Sequence, residues 1–302
     1  MKLSFSIIGC GKVGSALGKQ LAEAGYRPVG FSSRRMISAR QAAEFAGVPD
    51  RCFEKIWEAA KDADLVFITT PDDAIKETCR TISKNNGFTE NAVVFHCSGA
   101  LSSIELASVK SCNAKSGVMT GSMHPLQSFA SEDPGKPGNP FDNIMMAIEG
   151  DPGAVEKARE IAKDLGAQPF TIRTDGKILY HAAAVVASNY LVTLMDLSIK
   201  LMAASGVLQS EAFDILKPLI QGTLANIEST GIPDALTGPI ARGDVGIVEK
   251  HVQAIRSLSD ETADGMADYY CMSGVETIKV ARAKGTLSED AAKQLLQILK
   301  SE

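Results

Sequence analysis

The sequence has no excess of positive charge, because 31 Lys and Arg residues are set against 36 Asp and Glu residues, for a net charge of -5. Proteins that bind nucleic acid usually present a basic face, and no basic cluster of that kind is visible along the chain. The six cysteines are scattered singly, without the C-x-x-C pairs of a zinc site or the density of a secreted disulfide scaffold. We therefore expect no nucleic-acid partner, no metal site, and reduced thiols in the cytoplasm.

The N-terminus lacks the features of a signal peptide, since glycines interrupt its short apolar run and no small-residue cleavage site follows. One uncharged stretch, 178–195, has the length of a membrane span. It contains His181, Ser188 and Asn189, and polar residues of this kind are expensive inside a bilayer. We interpret the stretch as a buried helix of a soluble protein and predict no membrane partner.

With 302 residues, the chain is long enough for two domains that each bury a core. Short apolar runs typical of strands alternate with helical patterns as far as residue 174, and strand signals then stop. Such alternation is typical of a doubly wound parallel sheet of the Rossmann type. We therefore predict an α/β fold with a dinucleotide-binding domain over residues 1–174 and an all-helical domain over residues 175–302.

A glycine-rich turn, quoted as "SIIGCGKVGSALG", follows the first predicted strand directly. Gly9 permits a tight turn, Gly11 lets a pyrophosphate approach the backbone, and Gly14 allows close helix packing. Lys12 and Val13 begin the helix whose free amides can bind phosphate oxygens. Glycine turns are common, but this position in an alternating domain predicts a bound dinucleotide.

The end of the second predicted strand reads "FSSRR" and has no acidic residue to accept from the ribose hydroxyls of NAD. Ser32, Ser33, Arg34 and Arg35 instead offer hydroxyl and guanidinium donors, which suit a 2'-phosphate. A solvated basic turn is the alternative explanation. We predict NADP as the cofactor.

Further polar and small residues follow the later strands, at the carboxyl edge of the sheet where such folds bind ligands. Thr70 is expected to cap the next helix and, with Pro71, to wall the cofactor. Ser98 lies in a turn of small residues that permits close approach of a nicotinamide, although an ordinary turn explains it equally well. His124 ends a strand at the same edge and is a candidate catalytic residue.

The long apolar helix of the second half carries a polar stripe. Lys177, His181 and Ser188 fall on one narrow face, and Asn189 lies beside them. A polar stripe on an apolar helix needs partners or a wet cleft, so we expect it to face a substrate cleft. The alternative for His181 alone is a core histidine bonded to backbone.

The segment "LTGPIARGD" interrupts the later helices. Asp244 is expected to be the N-cap of the following helix. Arg242 can grip a carboxylate bidentately, and we expect it to face the His181 stripe across the cleft.

Six motifs carry a resemblance that spans nearly the whole chain: "GCGKVG", "TTPD", "HCSGA", "HPLQSF", "YHAAAVVASNY" and "LTGPIARGD". On these motifs, the chain resembles the two-domain NADP oxidoreductases in which a Rossmann-like domain precedes a helical domain of unknown function. These proteins are distant relatives of pyrroline-5-carboxylate reductase. The resemblance implies an NADP-binding fold with a cleft between the domains.

Together these features predict a reductase that passes a hydride from NADPH to the carbonyl or imine carbon of a small carboxylic acid. His181 or His124 would supply the proton, Asn189 would orient the substrate, and Arg242 would hold its carboxylate. A non-catalytic NADP-binding sensor is the alternative, since a fold does not imply chemistry. The apolar helix also predicts a homodimer, because a helix that is apolar nearly all round must be covered.

Overall fold

A computed structural model describes residues 2–109, 117–129, 138–258 and 265–301. Its contacts divide the chain into two compact units, Met1–Ala187 and Ser188–Glu302. The division falls inside a long helix, whereas the strand signals of the sequence end at residue 174. The first turns of that helix therefore belong to the same unit as the sheet.

The first unit is built on a seven-stranded sheet with the order β2-β1-β3-β4-β5-β6-β7 in the described residues. Neighbouring strands are parallel except for the antiparallel pair β5 and β6. The strands are β1 (Ser4–Ile8), β2 (Arg27–Ser32), β3 (Leu65–Ile68), β4 (Val93–His96), β5 (Met119–Pro125), β6 (Met145–Gly150) and β7 (Gln168–Thr171). The predicted doubly wound sheet is confirmed, with one antiparallel neighbour that the sequence pattern does not reveal.

Helices alternate with these strands, as the periodicity predicts. They are α1 (Lys12–Glu23), α2 (Met36–Phe45), α3 (Ile56–Ala60), α4 (Asp72–Lys84) and α5 (Pro152–Asp164). Every residue of β1, β3 and β4 is buried, because a parallel sheet with helices on its faces has no side open to water. Phe67 and Phe95 stack in this core with ring centroids 5.5 Å apart.

The rest of the described chain is helical, as predicted. The helices are α6 (Lys177–Ala204), α7 (Gln209–Thr230), α8 (Ile232–Ala235), α9 (Pro239–Arg242), α10 (Val245–Arg256), α11 (Met266–Lys284) and α12 (Glu289–Lys300). Val248, Ile278 and Leu295 form part of a core between α10, α11 and α12. Gly206 takes a left-handed backbone, φ +97°, where the sequence predicts the end of α6.

The apolar stretch of the long helix α6 is not buried in the described chain, so the prediction of a buried helix is wrong. Leu179 is 74% exposed and Val192 is 69% exposed. The segment Thr174–Ala204 contains an 18-residue window with a mean hydropathy of 1.5, so it is long and apolar enough to cross a membrane by length and composition alone. Apolar periodicity shows which residues avoid water but not what covers them, which explains the error.

Candidate functional site

The glycine turn after β1 is shaped by two glycines that the protein itself requires. Gly9 has φ +109°, and a Cβ there would lie 2.6 Å from the amide nitrogen of Thr70. A Cβ on Gly14 would collide with the Gly9 carbonyl oxygen. A Cβ on Gly11, in contrast, would meet no atom of the described residues within 4 Å apart from its neighbours in the chain. The protein's own packing therefore does not explain Gly11, whereas close approach of a ligand would.

A cavity of about 780 Å³ lies beside this turn, within the size range of cofactor sites. It is bounded by the glycine turn, the end of β2 and the start of α4. Nine residues predicted to bind the cofactor line it: Gly9, Gly11, Lys12, Val13, Ser32, Ser33, Arg34, Thr70 and Pro71. Gly14 and Ser98 are absent from its lining, Gly14 because it packs α1 against the turn.

Two hydroxyl groups in the lining have no hydrogen-bond partner in the described part of the chain. They are the buried Oγ of Ser32 and the buried Oγ1 of Thr70. The predicted capping role of Thr70 is wrong, since Pro71 is the N-cap of α4 and no side chain caps that helix. Unpaired buried hydroxyls cost free energy, and a polar ligand in the cavity would recover it. The lining thus fits a hydroxyl-rich and phosphate-bearing group such as a dinucleotide.

The two histidines proposed as catalytic lie together in the first unit. His124 lies in β5, and His181 lies in the second turn of α6. Their ring centroids are 6.3 Å apart at an interplanar angle of 81°. The Nδ1 atom of His124 lies 2.7 Å from the hydroxyl oxygen of Tyr180, a neighbour that the sequence prediction missed. Pairing of a β5 residue with an α6 residue is long-range, so no local pattern predicts it.

Burial and positive charge keep His124 neutral. Burial, together with the positive charges of Lys177 and His181, lowers the pKa of His124 to about 4. Burial raises the pKa of Tyr180 to about 12, so its phenol stays protonated. At neutral pH, this pair is an uncharged imidazole beside an uncharged phenol.

Lys177 is the functional candidate that sequence reasoning left without a role. Its side chain is fully buried at the start of α6, where the residue is 2% exposed. Its Nζ donates to the Oγ of Ser122 in β5 at 2.6 Å. Burial lowers the pKa of Lys177 to about 8, partly offset by the negative charges of Glu149 and Asp72. Its place on the polar stripe with His181 was the available sequence signal.

The turn after β4 joins the histidines to the cavity wall. The Oγ of Ser98 donates to the Asp72 carboxylate at 2.9 Å, and Asp72 begins α4 between two residues that line the cavity. The same Oγ accepts from the amides of Ala100 and Leu101 at 3.2 and 3.0 Å. Ser98 therefore organises this turn, and its contact with a cofactor stays a prediction.

Asn189 and Arg242 belong to the second unit. Arg242 is exposed, and its guanidinium pairs with Asp244 at 2.8 Å. Asp244 occupies the N-cap position of α10, as predicted, but its side chain makes no capping hydrogen bond because the carboxylate is turned to Arg242. The roles of Asn189 and Arg242 toward a substrate stay predictions, as does the facing of Arg242 and the His181 stripe across a cleft.

Two family models match the chain in sequence. Residues 1–125 match the model of a Rossmann-like domain, and residues 144–276 match a domain of unknown function, DUF2520. No curated protein matches. The resemblance inferred from the six motifs is thus confirmed at the level of the two domains and their order.

Solved structures share the fold over nearly the full length. A putative NADP oxidoreductase from Bacteroides fragilis is 22% identical, with a TM-score of 0.68 over 94% of this chain and 98% of that chain. A protein from Thermotoga maritima is 27% identical, with a TM-score of 0.67 over 93% and 99%. An imine reductase from Myxococcus stipitatus, in complex with NAD+, is 15% identical, with a TM-score of 0.63 over 98% and 100%. Pyrroline-5-carboxylate reductases are also among the structures that share the fold.

Burial of Lys177 predicts a pH dependence of stability. Because the pKa falls from 10.5 to about 8 on folding, the unfolded chain binds more protons between these pH values. The free energy of unfolding should therefore rise with pH across this window. Lys177→Met should remove this contribution. The difference in free energy of unfolding between parent and variant should therefore change by about 3 kcal/mol between pH 8 and pH 10.5.

Urea unfolding at several pH values, followed by the fluorescence of the single tryptophan, Trp57, measures this difference in the first unit. Lys163→Met, at an exposed position of α5, is the matched control and should run parallel to the parent. If the free energy of unfolding of Lys177→Met changed with pH in the same way as that of the parent, the burial of a titrating ammonium would be contradicted.

Proposed function

We propose that the chain is an NADP-dependent oxidoreductase, because it joins a Rossmann-like N-terminal domain to a C-terminal DUF2520 domain. The reaction would transfer a hydride between NADPH and the carbonyl or imine carbon of a small carboxylic acid. One observation carries the proposal: a cavity with unpaired hydroxyls and a cluster of His124, His181 and Lys177 lie at one edge of one sheet. Open α/β sheets bind their ligands at this edge.

The cavity residues would hold the cofactor, which supplies or accepts the hydride when bound. The open space at Gly11 admits the pyrophosphate, and the hydroxyls of Ser32 and Thr70 find partners. Arg34 and Arg35, both exposed at the cavity, provide charge for a 2'-phosphate. The carboxylate that would select NAD is missing from the end of β2.

The polar cluster would stabilise the negative charge that develops on a substrate during the reaction. Addition of a hydride leaves negative charge on a carbonyl oxygen, and the positive charge of Lys177 and the ring N–H groups of two histidines can stabilise it. His181 is the proton donor of this proposal, because the low pKa of His124 leaves that ring neutral and able only to donate a hydrogen bond. The shared fold with an imine reductase supports reduction of a carbon doubly bonded to nitrogen.

Reversal of the charge at Arg34 tests the cofactor. Arg34→Asp should weaken NADPH binding by about 1.5–3 kcal/mol, which is the contribution of one charge-assisted hydrogen bond. The difference in affinity between NADPH and NADH should therefore become smaller. Calorimetric titration of both cofactors measures the effect. Arg40→Asp, exposed on α2 and outside the cavity lining, is the control for added negative charge. Equal affinity of the parent for NADH and NADPH would refute the choice of NADP.

Turnover tests the enzyme itself. Oxidation of NADPH should be measured against a panel of 2-oxo acids and cyclic imines. His181→Ala should lower kcat on the order of 10²–10⁴-fold while the Kd for NADPH stays nearly unchanged. His251→Ala, in the helical unit, should match the parent. Tight NADPH binding without turnover on any member of the panel would instead favour the sensor.

We further propose that the protein is a homodimer that covers the exposed faces of α6 and α7. Both helices expose large apolar side chains, namely Leu179, Tyr190, Val192, Phe213, Leu219 and Leu224. Apolar area of this kind is unfavourable in water and is typical of surfaces that bind another protein. A second copy of the chain brings the same faces and can cover them symmetrically.

Light scattering should therefore give the mass of a dimer at micromolar concentration. Val192→Glu should shift the protein toward the monomer, because the new charge would be buried at the interface. Ile37→Glu, at an exposed apolar residue of α2, should leave the dimer intact. A monomeric mass for the parent would remove the proposal.

A further inference from the structure

We infer that Phe129 positions the nicotinamide half of the cofactor, because its ring closes the cavity on the side of β5. The inference rests on the proposed function and adds a positioning residue to it. Phe129 ends the motif "HPLQSF", of which the proposed function uses His124 alone.

The side chain of Phe129 reaches the cavity from a distant part of the sheet. Among the described residues that line the cavity, it is the one aromatic side chain. Most of the lining falls within 8–13, 32–38 and 69–78, which follow β1, β2 and β3. Phe129 instead follows β5, which lies four places from β2 in the sheet, or about 19 Å at the usual strand spacing. The chain after β5 therefore turns back toward the glycine turn.

Phe129 and Ile56 line the cavity from opposite faces of the sheet. Phe129 packs against the core that contains Phe67, and Ile56 packs against the core that contains Val66. Consecutive residues of a strand point to opposite faces, so these two cores lie on the two sides of the sheet. The cavity therefore has an apolar wall on each side of the sheet edge.

The two apolar walls belong to different ends of the cavity. Helix α3, which begins with Ile56, packs against β1 and β2. Ile56 therefore lies on the side of β2, where Arg34 is proposed to bind the 2'-phosphate of the adenosine. A dinucleotide has a flat ring at each end and its phosphates in the middle. With the adenosine at β2 and the pyrophosphate at the glycine turn, the nicotinamide half extends toward β5, the side from which Phe129 comes.

The ring of Phe129 is anchored by the protein and partly open to solvent. Its centroid lies 5.7 Å from that of Phe141, with an interplanar angle of 52°. Phe141 is fully buried, whereas Phe129 is only partly buried and borders the cavity. An aromatic ring in this setting is stabilised by packing against another flat ring or the apolar face of a sugar. A bound nicotinamide nucleoside offers both and would be shielded from water by the contact.

Two ligands separate the halves of the cofactor. NADPH carries both halves, whereas adenosine 2',5'-bisphosphate carries the adenosine and its 2'-phosphate but no nicotinamide. Phe129→Ala should raise the Kd of NADPH on the order of 10-fold and leave the Kd of the bisphosphate unchanged. Arg34→Asp should raise both Kd values, because it acts on the adenosine half. Calorimetric titration measures them, and an equal effect of Phe129→Ala on the two ligands, or no effect on either, overturns the inference.

Two further variants complete the comparison. Phe45→Ala, at a phenylalanine of α2 that is 40% exposed and outside the described cavity lining, should match the parent with both ligands. Phe129→Leu keeps an apolar contact without the ring, so it should weaken NADPH binding by a smaller factor and leave the bisphosphate unaffected. It decides the question if Phe129→Ala does not fold, because weaker binding of the bisphosphate by Phe129→Leu would overturn the inference.

The fluorescence of bound NADPH reports on the reduced nicotinamide ring itself. With the protein in excess, shielding from water should make the emission stronger and shift it to shorter wavelength than that of free NADPH. Phe129→Ala should lose most of this change, and Phe45→Ala should keep it. The same emission from the parent and from Phe129→Ala would overturn the inference alone. Failure of the parent to bind NADPH would overturn the proposed function and the inference with it.

Discussion

The hydrogen bond from the buried ammonium of Lys177 to Ser122 joins the first turn of α6 to β5. The rest of the polar cluster depends on it, because Tyr180 and His181 follow Lys177 on the same helix and reach His124 on the same strand. An ammonium this deep is costly in free energy unless it is hydrogen-bonded and near negative charge. Lys177 has both, at the point where the long helix contacts the sheet.

The carboxylates around this ammonium are held in place by two serines. The buried Glu149 accepts from the amide and the hydroxyl of Ser103, each at 2.8 Å. Asp72 accepts from Ser98 at the start of α4. These carboxylates favour the charged form of Lys177, and Lys177 in turn favours the neutral form of His124. Burial and the charge of Lys177 thus act in the same direction to keep His124 neutral.

The glycines divide into those that the fold requires and those that leave room for a ligand. Gly9 and Gly14 have a packing reason, since a Cβ at either would strike backbone atoms of the same turn. Gly99 also has a packing reason, since a Cβ there would strike the rings of His124 and His181, whereas Gly11 has none among the described residues. Gly11 lines the cavity at the carboxyl edge of the sheet, and Gly99 lets the two histidine rings pack against the turn after β4 at the same edge.

The sequence by itself determined the order of strands and helices, the two-part organisation and the residues around the glycine turn, because each depends on local periodicity and on neighbours along the chain. The antiparallel β6, the unpaired hydroxyl of Thr70 and the exposure of α6 depend on partners distant in sequence. Only the tertiary structure decided that His124, His181 and Lys177 share one unit. Contacts between β5 and α6 join residues more than fifty positions apart, and no periodic pattern records them.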